Sequence, residues 1–343
     1  MPIRLLNRND ITALSLPIDD VLALTRLAYR REQQNSVDVP TKIGVHPEHE
    51  NSFLDAMPAW VGGPDPALGM KWVSYFPGNQ SRGKSDSTGL IVLNSPDDGH
   101  PVSIMEGMHV TFLRTAACAA VMAEQMVQSA PTSIGLVGCG EVGRWTLRIM
   151  RHAFPTIRTV HVASRTPSSR ERFCQELSHE ADWQLTPARS VSEAVSQSDI
   201  VISSIPPTDS PPILLEDFRD GSLFIPLDLT HSWDDAVLTH ASQVVADNPQ
   251  FLGKMLRRHR PHLDASSIPI TPLIDILGGR PHAASSSPLR IAAVCGIASP
   301  DVLLGWEIYR RACAADIGVL YEFLPTTPTH ARASEAPAQL LGR

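Results

Sequence analysis

The sequence lacks the features of a membrane protein and of a nucleic-acid-binding protein. It has no stretch of about eighteen apolar residues, so we expect no membrane-spanning helix. It also has no run of lysine and arginine, and its formal net charge of −7 argues against extensive binding to the phosphate backbone of a nucleic acid. Its longest basic cluster, at 257–260, is interpreted as a solvated helix end.

Cysteine is scarce and scattered, and no Cys-x-x-Cys pair occurs. The five cysteines are Cys118, Cys139, Cys174, Cys295 and Cys313. This pattern argues against a disulfide framework and a structural zinc site, and it fits a reducing cytoplasm. The N-terminal segment MPIRLLNRND has no long apolar core, so we expect no signal peptide and predict a cytoplasmic location.

Histidines occur at short spacings in two places, but without cysteines or carboxylates in a metal-ligand pattern. They are His46, His49, His259 and His262. We interpret them as exposed loop residues and predict no metal site.

The 343 residues, of which 43% are hydrophobic and 19% charged, suffice for two globular domains. Apolar positions at helical spacing predict a helix over 17–33. Over 53–110, short apolar segments alternate with Gly, Pro, Asn and Asp, which predicts strands that are mostly antiparallel. A stretch rich in Ala and Met at 111–127 then predicts another helix.

Strands that alternate with helices from about 130 to 290 predict a doubly wound parallel sheet of the Rossmann type. A last amphipathic helix over 299–318, with Asp301 near its start and Gly318 at its end, must bury its apolar stripe on the first part of the chain. The predicted fold is therefore α/β: a Rossmann domain at 117–296, and a strand-rich α+β substrate and dimerisation domain at 1–116 completed by 297–325. Residues 326–343 are predicted to be a disordered tail.

A glycine-rich motif follows the first strand of the parallel sheet and opens a helix. It reads Gly138-Cys139-Gly140-Glu141-Val142-Gly143, the G-x-G-x-x-G pattern of dinucleotide sites. Gly138 allows the tight turn, Gly140 lets the backbone approach the pyrophosphate, and Gly143 lets helix and strand pack closely. Glu141 and Val142 open the helix whose N-terminus would bind the phosphates. The alternative is a purely structural strand–helix turn.

The end of the second strand bears on which dinucleotide binds. It reads Ser164-Arg165-Thr166, with no carboxylate for a ribose 2′-hydroxyl and an arginine that could pair with a 2′-phosphate. We therefore favour NADP(H), while NAD(H) stays possible if Arg165 is only a surface residue. The residues Ser203, Ser204 and Ile205 at another strand end fit a cofactor wall, but they equally fit plain packing.

Several segments together resemble the ornithine cyclodeaminase/mu-crystallin family of NAD(P)-dependent amino acid and imine oxidoreductases. They are DAMPAW at 55–60, GMKWVSYFPGN at 69–79, TGLIVLNSPDDGHPVSIMEG at 88–107, TFLRTAA at 111–117, the glycine motif, and GIASPDVLLGWEIYRRACAADIG at 296–318. The resemblance covers about 36–320, and it implies a homodimer formed through the strand-rich domain.

The resemblance also implies a substrate site made of cations and one carboxylate. It assigns Lys71 and Arg114 to the substrate carboxylate, with Lys42 in place of the usual arginine and Asp55, shorter than the usual Glu, near the substrate amine. Lys71 is also expected in catalysis, and Thr88, Arg114 and Thr115 at the cofactor. Without the resemblance, Lys71 could be a surface lysine and Arg114 an ion-pair partner at a helix start.

By the same resemblance, Asp228 is the general acid/base, because it follows the fifth strand of the nucleotide domain. A carboxylate at that strand end could also contact the cofactor, move protons and activate water. The glycines, proline and lysine that usually flank this aspartate in the family are absent, which puts ornithine cyclodeamination itself in doubt. The alternative for Asp228 is a helix-capping or surface aspartate.

Together these features predict an NAD(P)-dependent oxidoreductase that acts on the C–N bond of an amino acid or its imine. The expected activity is ornithine cyclodeaminase-like or ketimine reductase-like. One alternative is an N-(2-amino-2-carboxyethyl)-glutamate dehydrogenase-like enzyme of diaminopropionate synthesis. The other is an NADP(H)-binding crystallin-like protein without catalysis.

Overall fold

A mostly antiparallel sheet of eight strands is formed largely by the first third of the chain. The computed structural model describes residues 2–47, 52–180, 182–208, 210–266, 268–281 and 289–323, so the predicted tail at 326–343 lies outside the described residues. The strands are β1 (Ile3–Leu6), β2 (Val37–Asp38), β3 (Ile43–Val45), β4 (Phe53–Val61), β5 (Ala67–Tyr75), β6 (Ser87–Asn94), β7 (Pro101–Glu106) and β16 (Val319–Tyr321). Their order is β16-β1-β7-β6-β5-β4-β2, with β3 also paired to β4.

The strands β4 to β7 pair antiparallel with their sequence neighbours, as the spacing of apolar segments predicted. The pair β1–β7 is parallel, and β16 returns antiparallel to β1 from the C-terminal end of the described chain. The first sheet is therefore completed only by a segment that is distant in sequence.

The second sheet is parallel throughout, which confirms the predicted doubly wound arrangement. Its strands are β8 (Ser133–Val137), β9 (Thr159–Ala163), β10 (Gln184–Pro187), β11 (Ile200–Ser203), β12 (Leu223–Pro226), β13 (Gln243–Ala246), β14 (Ile270–Pro272) and β15 (Arg290–Ala293). They lie in the order β10-β9-β8-β11-β12-β15-β13-β14. The direction of winding reverses between β8 and β11, and such a switch point opens a ligand crevice at the carboxyl ends of the strands.

Ten helices are seen in the described part of the chain. They are α1 (Arg8–Leu14), α2 (Ile18–Gln33), α3 (Met108–Met126), α4 (Glu141–Ala153), α5 (Pro167–Leu177), α6 (Val191–Ser196), α7 (Asp235–Thr239), α8 (Pro249–His259), α9 (Leu273–Leu277) and α10 (Ser299–Ala315). The long helix α3 lies between the sheets and contacts β6 on one side and β12 and β15 on the other. All its Ala and Met side chains are buried, because elements pack on it from both sides: alanine allows close approach, and the flexible methionine side chain fills the remaining gaps. None of these helices combines the length and the hydropathy that a membrane crossing requires.

The C-terminal helix α10 packs on β4, β5 and β6 of the first sheet, as predicted. The prediction that Gly318 ends it was wrong: the helix ends at Ala315, and Asp316 is its C-cap in the left-handed conformation with a φ of +50°. Gly318 follows with a φ of +96°, where a Cβ would lie 2.7 Å from the backbone oxygen of Leu5. Glycine is needed there because the chain returns closely over β1.

Candidate active site

The glycine-rich turn between β8 and α4 has the shape that a dinucleotide pyrophosphate requires. Gly138 has a φ of +121°, and a Cβ there would lie 2.3 Å from the backbone oxygen of Ser204. A Cβ on Gly143 would lie 2.7 Å from the backbone oxygen of Gly138, so the helix reaches the strand only because side chains are absent. At Gly140, in contrast, a Cβ would meet nothing within 4 Å. Gly140 therefore faces open space at a helix N-terminus, where a phosphate can approach the backbone.

The start of α4 leaves its backbone N–H groups available to such a ligand. Gly140 is the N-cap residue, and no side chain caps the helix. Glu141 is exposed and forms an ion pair with Arg144 at 3.4 Å, and Val142 is half-buried. The donors of this first turn fit a pyrophosphate, which accepts hydrogen bonds and carries the charge that the helix dipole favours.

The segment after β9 presents one unpaired cation. Arg165 is exposed and forms no hydrogen bond or ion pair with any described residue. Its neighbours are fixed locally, since Ser164 Oγ donates to the Thr166 oxygen at 2.9 Å and Arg170 donates to the Ser164 oxygen at 3.2 Å. The strand end is thus ordered while the guanidinium is free to meet an anion.

Asp228 lies two residues after β12 and is held by three groups. Ser203 Oγ and Ser232 Oγ donate to its Oδ1 at 3.2 and 2.8 Å, and the Ile205 backbone N–H donates to Oδ2 at 3.1 Å. Burial raises the pKa of Asp228 to about 6, and these three hydrogen bonds oppose the rise. The carboxylate can therefore exchange a proton near neutral pH.

Asp228 is not the cap of the helix that follows it. The residue that caps α7 is Asp234, whose side chain accepts a hydrogen bond from the Val237 N–H. Ser203 is fully buried and contacts Asp228 and Ser232. Ser204 and Ile205 continue the chain past the glycine turn, where the Ser204 backbone oxygen approaches Gly138.

A buried ion triad joins β5 of the first sheet to the helices α3 and α10. Lys71 Nζ, on β5, donates to both carboxylate oxygens of Asp301 at 2.8 Å, and Arg114 Nε donates to Asp301 Oδ1 at 3.1 Å. Lys71 and Asp301 are fully buried, which excludes the interpretation of Lys71 as a surface lysine. Burial lowers the pKa of Lys71 to about 7, the Arg114 charge lowers it as well, and Asp301 opposes both effects.

The two terminal nitrogens of Arg114 have no hydrogen-bond acceptor in the part of the chain that the structure describes. Gly296 lies against them: its φ is +79°, and a Cβ there would be 2.7 Å from Arg114 Nη1. The guanidinium is thus held at its Nε edge, and its terminal donors can bind a carboxylate with two parallel hydrogen bonds.

Lys42 and Asp55, which the resemblance assigns to the substrate site, lie close enough to this triad to interact electrostatically with it. Lys42 Nζ donates to the Cys295 oxygen at 3.0 Å and lies 4.0 Å from the centre of the Phe251 ring. Burial, followed by the Arg114 charge, lowers the pKa of Lys42. Asp55, on β4, is half-buried, and burial raises its pKa while the Lys42 charge lowers it.

Sequence reasoning missed Asp247, which follows β13. Its carboxylate accepts hydrogen bonds from the Cys295 N–H at 2.7 Å, the Gly296 N–H at 3.2 Å and the Tyr29 hydroxyl at 3.3 Å. Asp247 thereby fixes the turn that packs against Arg114. A signal was present, because an aspartate directly after a buried strand of a parallel sheet lies at the ligand edge.

These groups share one edge of the parallel sheet. β12, β15 and β13 are adjacent, and Asp228, Gly296 and Asp247 follow their carboxyl ends. Gly138 and Ser204 follow β8 and β11 at the same edge, next along the sheet. The dinucleotide-type turn, the Asp228 carboxylate and the turn at Gly296 that contacts Arg114 therefore lie along one edge of the parallel sheet.

Thr88 and Thr115 are the remaining residues that were predicted to lie at the cofactor. Thr88, on β6, is exposed and shares a hydrogen bond of 2.9 Å with Ser74. Thr115 follows Arg114 on α3 and is half-buried. Among the described residues, no group of three or more His, Cys, Asp or Glu side chains is placed to hold a metal ion, and His49 lies outside them.

The chain matches the ornithine cyclodeaminase/mu-crystallin family over residues 5–227. It belongs to this family. Among curated relatives, the nodulation efficiency protein NfeD of Rhizobium meliloti is 26% identical over 94% of this chain and 99% of its own length. The N-((2S)-2-amino-2-carboxyethyl)-L-glutamate dehydrogenase of Staphylococcus aureus is 24% identical over 91% of this chain and 96% of its own.

Solved structures of the ornithine cyclodeaminase/mu-crystallin type share the fold over nearly the whole chain. A Thermococcus litoralis Δ1-pyrroline-2-carboxylate reductase in complex with NADH and L-proline superposes with a TM-score of 0.82 at 22% identity, covering 92% of this chain and 99% of that one. An archaeal alanine dehydrogenase dimer with bound NAD gives a TM-score of 0.81 at 23% identity, covering 94% of this chain and 100% of that one.

Proposed function

We propose that this protein is an NAD(P)-dependent oxidoreductase that acts on the C–N bond of an amino acid or of the imine derived from it. The observation that carries the proposal is the free guanidinium end of Arg114 at the same sheet edge as the Gly138–Gly143 turn. A carboxylate bound by Arg114 would place a small amphoteric molecule in the crevice where the dinucleotide is expected. Membership in the family and the relatives reported above support the same chemistry.

The dinucleotide would be held at its pyrophosphate by the turn at Gly138 and Gly140 and by the first N–H groups of α4. When bound, the nicotinamide ring supplies or accepts the hydride. The protein's own task is to hold the substrate rigidly, because hydride transfer requires a fixed geometry between the two reacting carbons. Lys71 and Arg114 bind the substrate carboxylate with Lys42 beside them, and Asp55 faces the substrate amine.

Asp228 moves the proton. Its pKa of about 6 makes the carboxylate a base for the substrate ammonium during oxidation, and the carboxylic acid a donor to the imine nitrogen during reduction. Ser203 and Ser232 orient this carboxyl group, because both hydroxyls donate hydrogen bonds to Asp228 Oδ1.

We further propose that NADP(H) is preferred over NAD(H). The support is Arg165, which is exposed, unpaired among the described residues and placed at the end of the strand that normally faces the adenine ribose. Arginine is well suited to a 2′-phosphate, and the segment offers no carboxylate for a 2′-hydroxyl.

The test is the substitution Asp228→Asn, with Asp220→Asn as the matched control on the exposed turn at the other end of β12. We expect Asp228→Asn to bind NADPH as the wild type does and to lose about 10²- to 10⁴-fold in turnover, the typical contribution of a general acid or base. Turnover is followed by the absorbance of the reduced nicotinamide. Full turnover by this variant would exclude Asp228 as the proton carrier.

The activity class is tested by a panel of Δ1-pyrroline-2-carboxylate, pyruvate and glyoxylate, each with and without amines. A glutamate-derived N-carboxyalkyl amino acid is added, because the Staphylococcus aureus relative supports that alternative. Tight NADPH binding without turnover of any compound would favour the other alternative, a binding protein without catalysis.

We also propose a homodimer, in which 1–116 with 297–325 provides the interface and the substrate groups, and 117–296 binds the dinucleotide. The outward face of the first sheet supports it: Trp60, Trp72 and Leu90 are 41%, 42% and 47% exposed. Trp72 and Leu90 are directly opposed on β5 and β6, so they form one apolar surface. Such a surface on a family member suits a second copy of the same sheet.

A further inference from the structure

Asp301 occupies the centre of the candidate carboxylate site without being accessible itself. It lies in the first turn of α10, is fully buried, and accepts hydrogen bonds at both oxygens. A ligand cannot contact a group in this position. Its effect on a ligand must therefore be transmitted through Lys71 and Arg114.

The two cations are engaged in different ways. Lys71 is fully buried and directs its ammonium group to both oxygens of Asp301. Arg114 uses only Nε for Asp301, at 3.1 Å, and is 8% exposed. Because a guanidinium is planar and rigid, fixing Nε fixes the direction of the terminal nitrogens as well.

A second contact limits the guanidinium from the other side. The turn at Cys295 and Gly296 is pinned by Asp247, and Gly296 leaves no room beside Arg114 Nη1. Arg114 is therefore confined between Asp301 and this turn, and only its terminal nitrogens lack an acceptor among the described residues.

We propose that Asp301 is a positioning residue, which aims the terminal nitrogens of Arg114 at the ligand carboxylate. The proposal rests on the proposed function only in taking the ligand to be a carboxylate. It goes beyond the family resemblance, which assigns no role to Asp301: a residue that a ligand cannot contact fixes the direction of the cation that a ligand can contact.

The test compares two double variants, Lys71→Met with Asp301→Asn and Lys71→Met with Asp301→Leu. Both remove Lys71 together with the buried negative charge, so the net charge of the buried group is unchanged and Arg114 loses its carboxylate partner equally in both. They differ in one respect, because asparagine keeps an oxygen that can accept from Arg114 Nε and leucine does not. Glu124→Gln is the control, since it breaks the Arg26 ion pair elsewhere on α3.

The measurement is the Kd of pyrrole-2-carboxylate, a planar carboxylate probe, for the NADPH-saturated protein by calorimetry, together with the Kd of NADPH itself. We expect the asparagine double variant to bind the probe about tenfold more tightly than the leucine one, as one charge-assisted hydrogen bond provides. NADPH should bind both alike, and Glu124→Gln should match the wild type.

Equal affinity of the two double variants for the probe would overturn the positioning role, and so would failure of the wild type to bind the probe. The outcome is independent of turnover. A wild type that binds probe and NADPH but converts no amino acid or imine would contradict the proposed function and leave the positioning test standing.

Discussion

Two glycines of the same turn should respond in opposite ways to one added methyl group. Gly140→Ala adds a Cβ where nothing lies within 4 Å, whereas Gly143→Ala adds one 2.7 Å from the backbone oxygen of Gly138. The first methyl enters the space proposed for the pyrophosphate, and the second enters the contact between helix and strand. The pair therefore separates cofactor binding from folding.

The expected change in stability for Gly140→Ala is close to zero. Its φ of −87° is open to alanine. Reduced freedom of the unfolded chain stabilises by about 0.4–1 kcal/mol, and alanine is a poorer N-cap than glycine by about 0.5–1 kcal/mol. For Gly143→Ala, overpacking costs about 1–3 kcal/mol and helix propensity offsets about 1 kcal/mol of it.

The assays are the Kd of NADPH by fluorescence titration and the Tm by calorimetry. Gly140→Ala should raise the Kd at least about tenfold, which is about 1.4 kcal/mol, with the Tm unchanged. Gly143→Ala, with a net cost of up to about 2 kcal/mol, should lower the Tm by up to about 3 °C. If Gly140→Ala binds NADPH as the wild type does, no pyrophosphate approaches this backbone and the assignment of the turn is refuted.

Four further results are expected. Because burial raises the pKa of Asp228 to about 6, amine oxidation, which needs the carboxylate as base, should rise with pH through about 6 and then level off, and a flat profile would contradict this. Gly296→Ala, which places a methyl 2.7 Å from Arg114 Nη1 at a φ of +79°, should raise the KM for a carboxylate substrate about tenfold or more while the Kd of NADPH stays unchanged. Arg165→Ser should raise the KM for NADPH about tenfold and leave that for NADH nearly unchanged, and an equal effect on both would refute the 2′-phosphate contact. Trp72→Lys, measured by light scattering, should convert the dimer to a monomer, and an unchanged mass would exclude this face as the interface.

The parts of the fold that local sequence determines could be predicted. The strand β8, the turn at Gly138 and the helix α4 are adjacent in the chain, and each leaves its own signal in residue type and spacing. The same holds for the antiparallel run β4 to β7, where turn residues separate short apolar segments. Asp228 could be singled out because the family resemblance places an aspartate close after the fifth strand of the nucleotide domain, and that strand was visible in the sequence.

The parts that depend on distant contacts could not be predicted. β1 has only four residues and α1 only seven, and β1 is stabilised by β7 and β16 from remote parts of the chain. Asp301 was interpreted as a helix-start charge, which its place in the first turn of α10 allows. Its pairing with Lys71 spans 230 residues, and no local pattern indicates it.

The distance in sequence between Lys71 and Asp301 has a consequence for synthesis on the ribosome. At about 5–20 residues per second, the lysine emerges about 10–50 s before the aspartate that balances its charge. During that interval the strands of the first sheet carry a cation that they cannot enclose, while β8, β9, β10, β11 and β12 of the parallel sheet emerge and can pair. The glycine turn after β8 can therefore form while Lys71 still lacks its partner, whereas both sheets wait for late strands, β15 in the parallel sheet and β16 in the first.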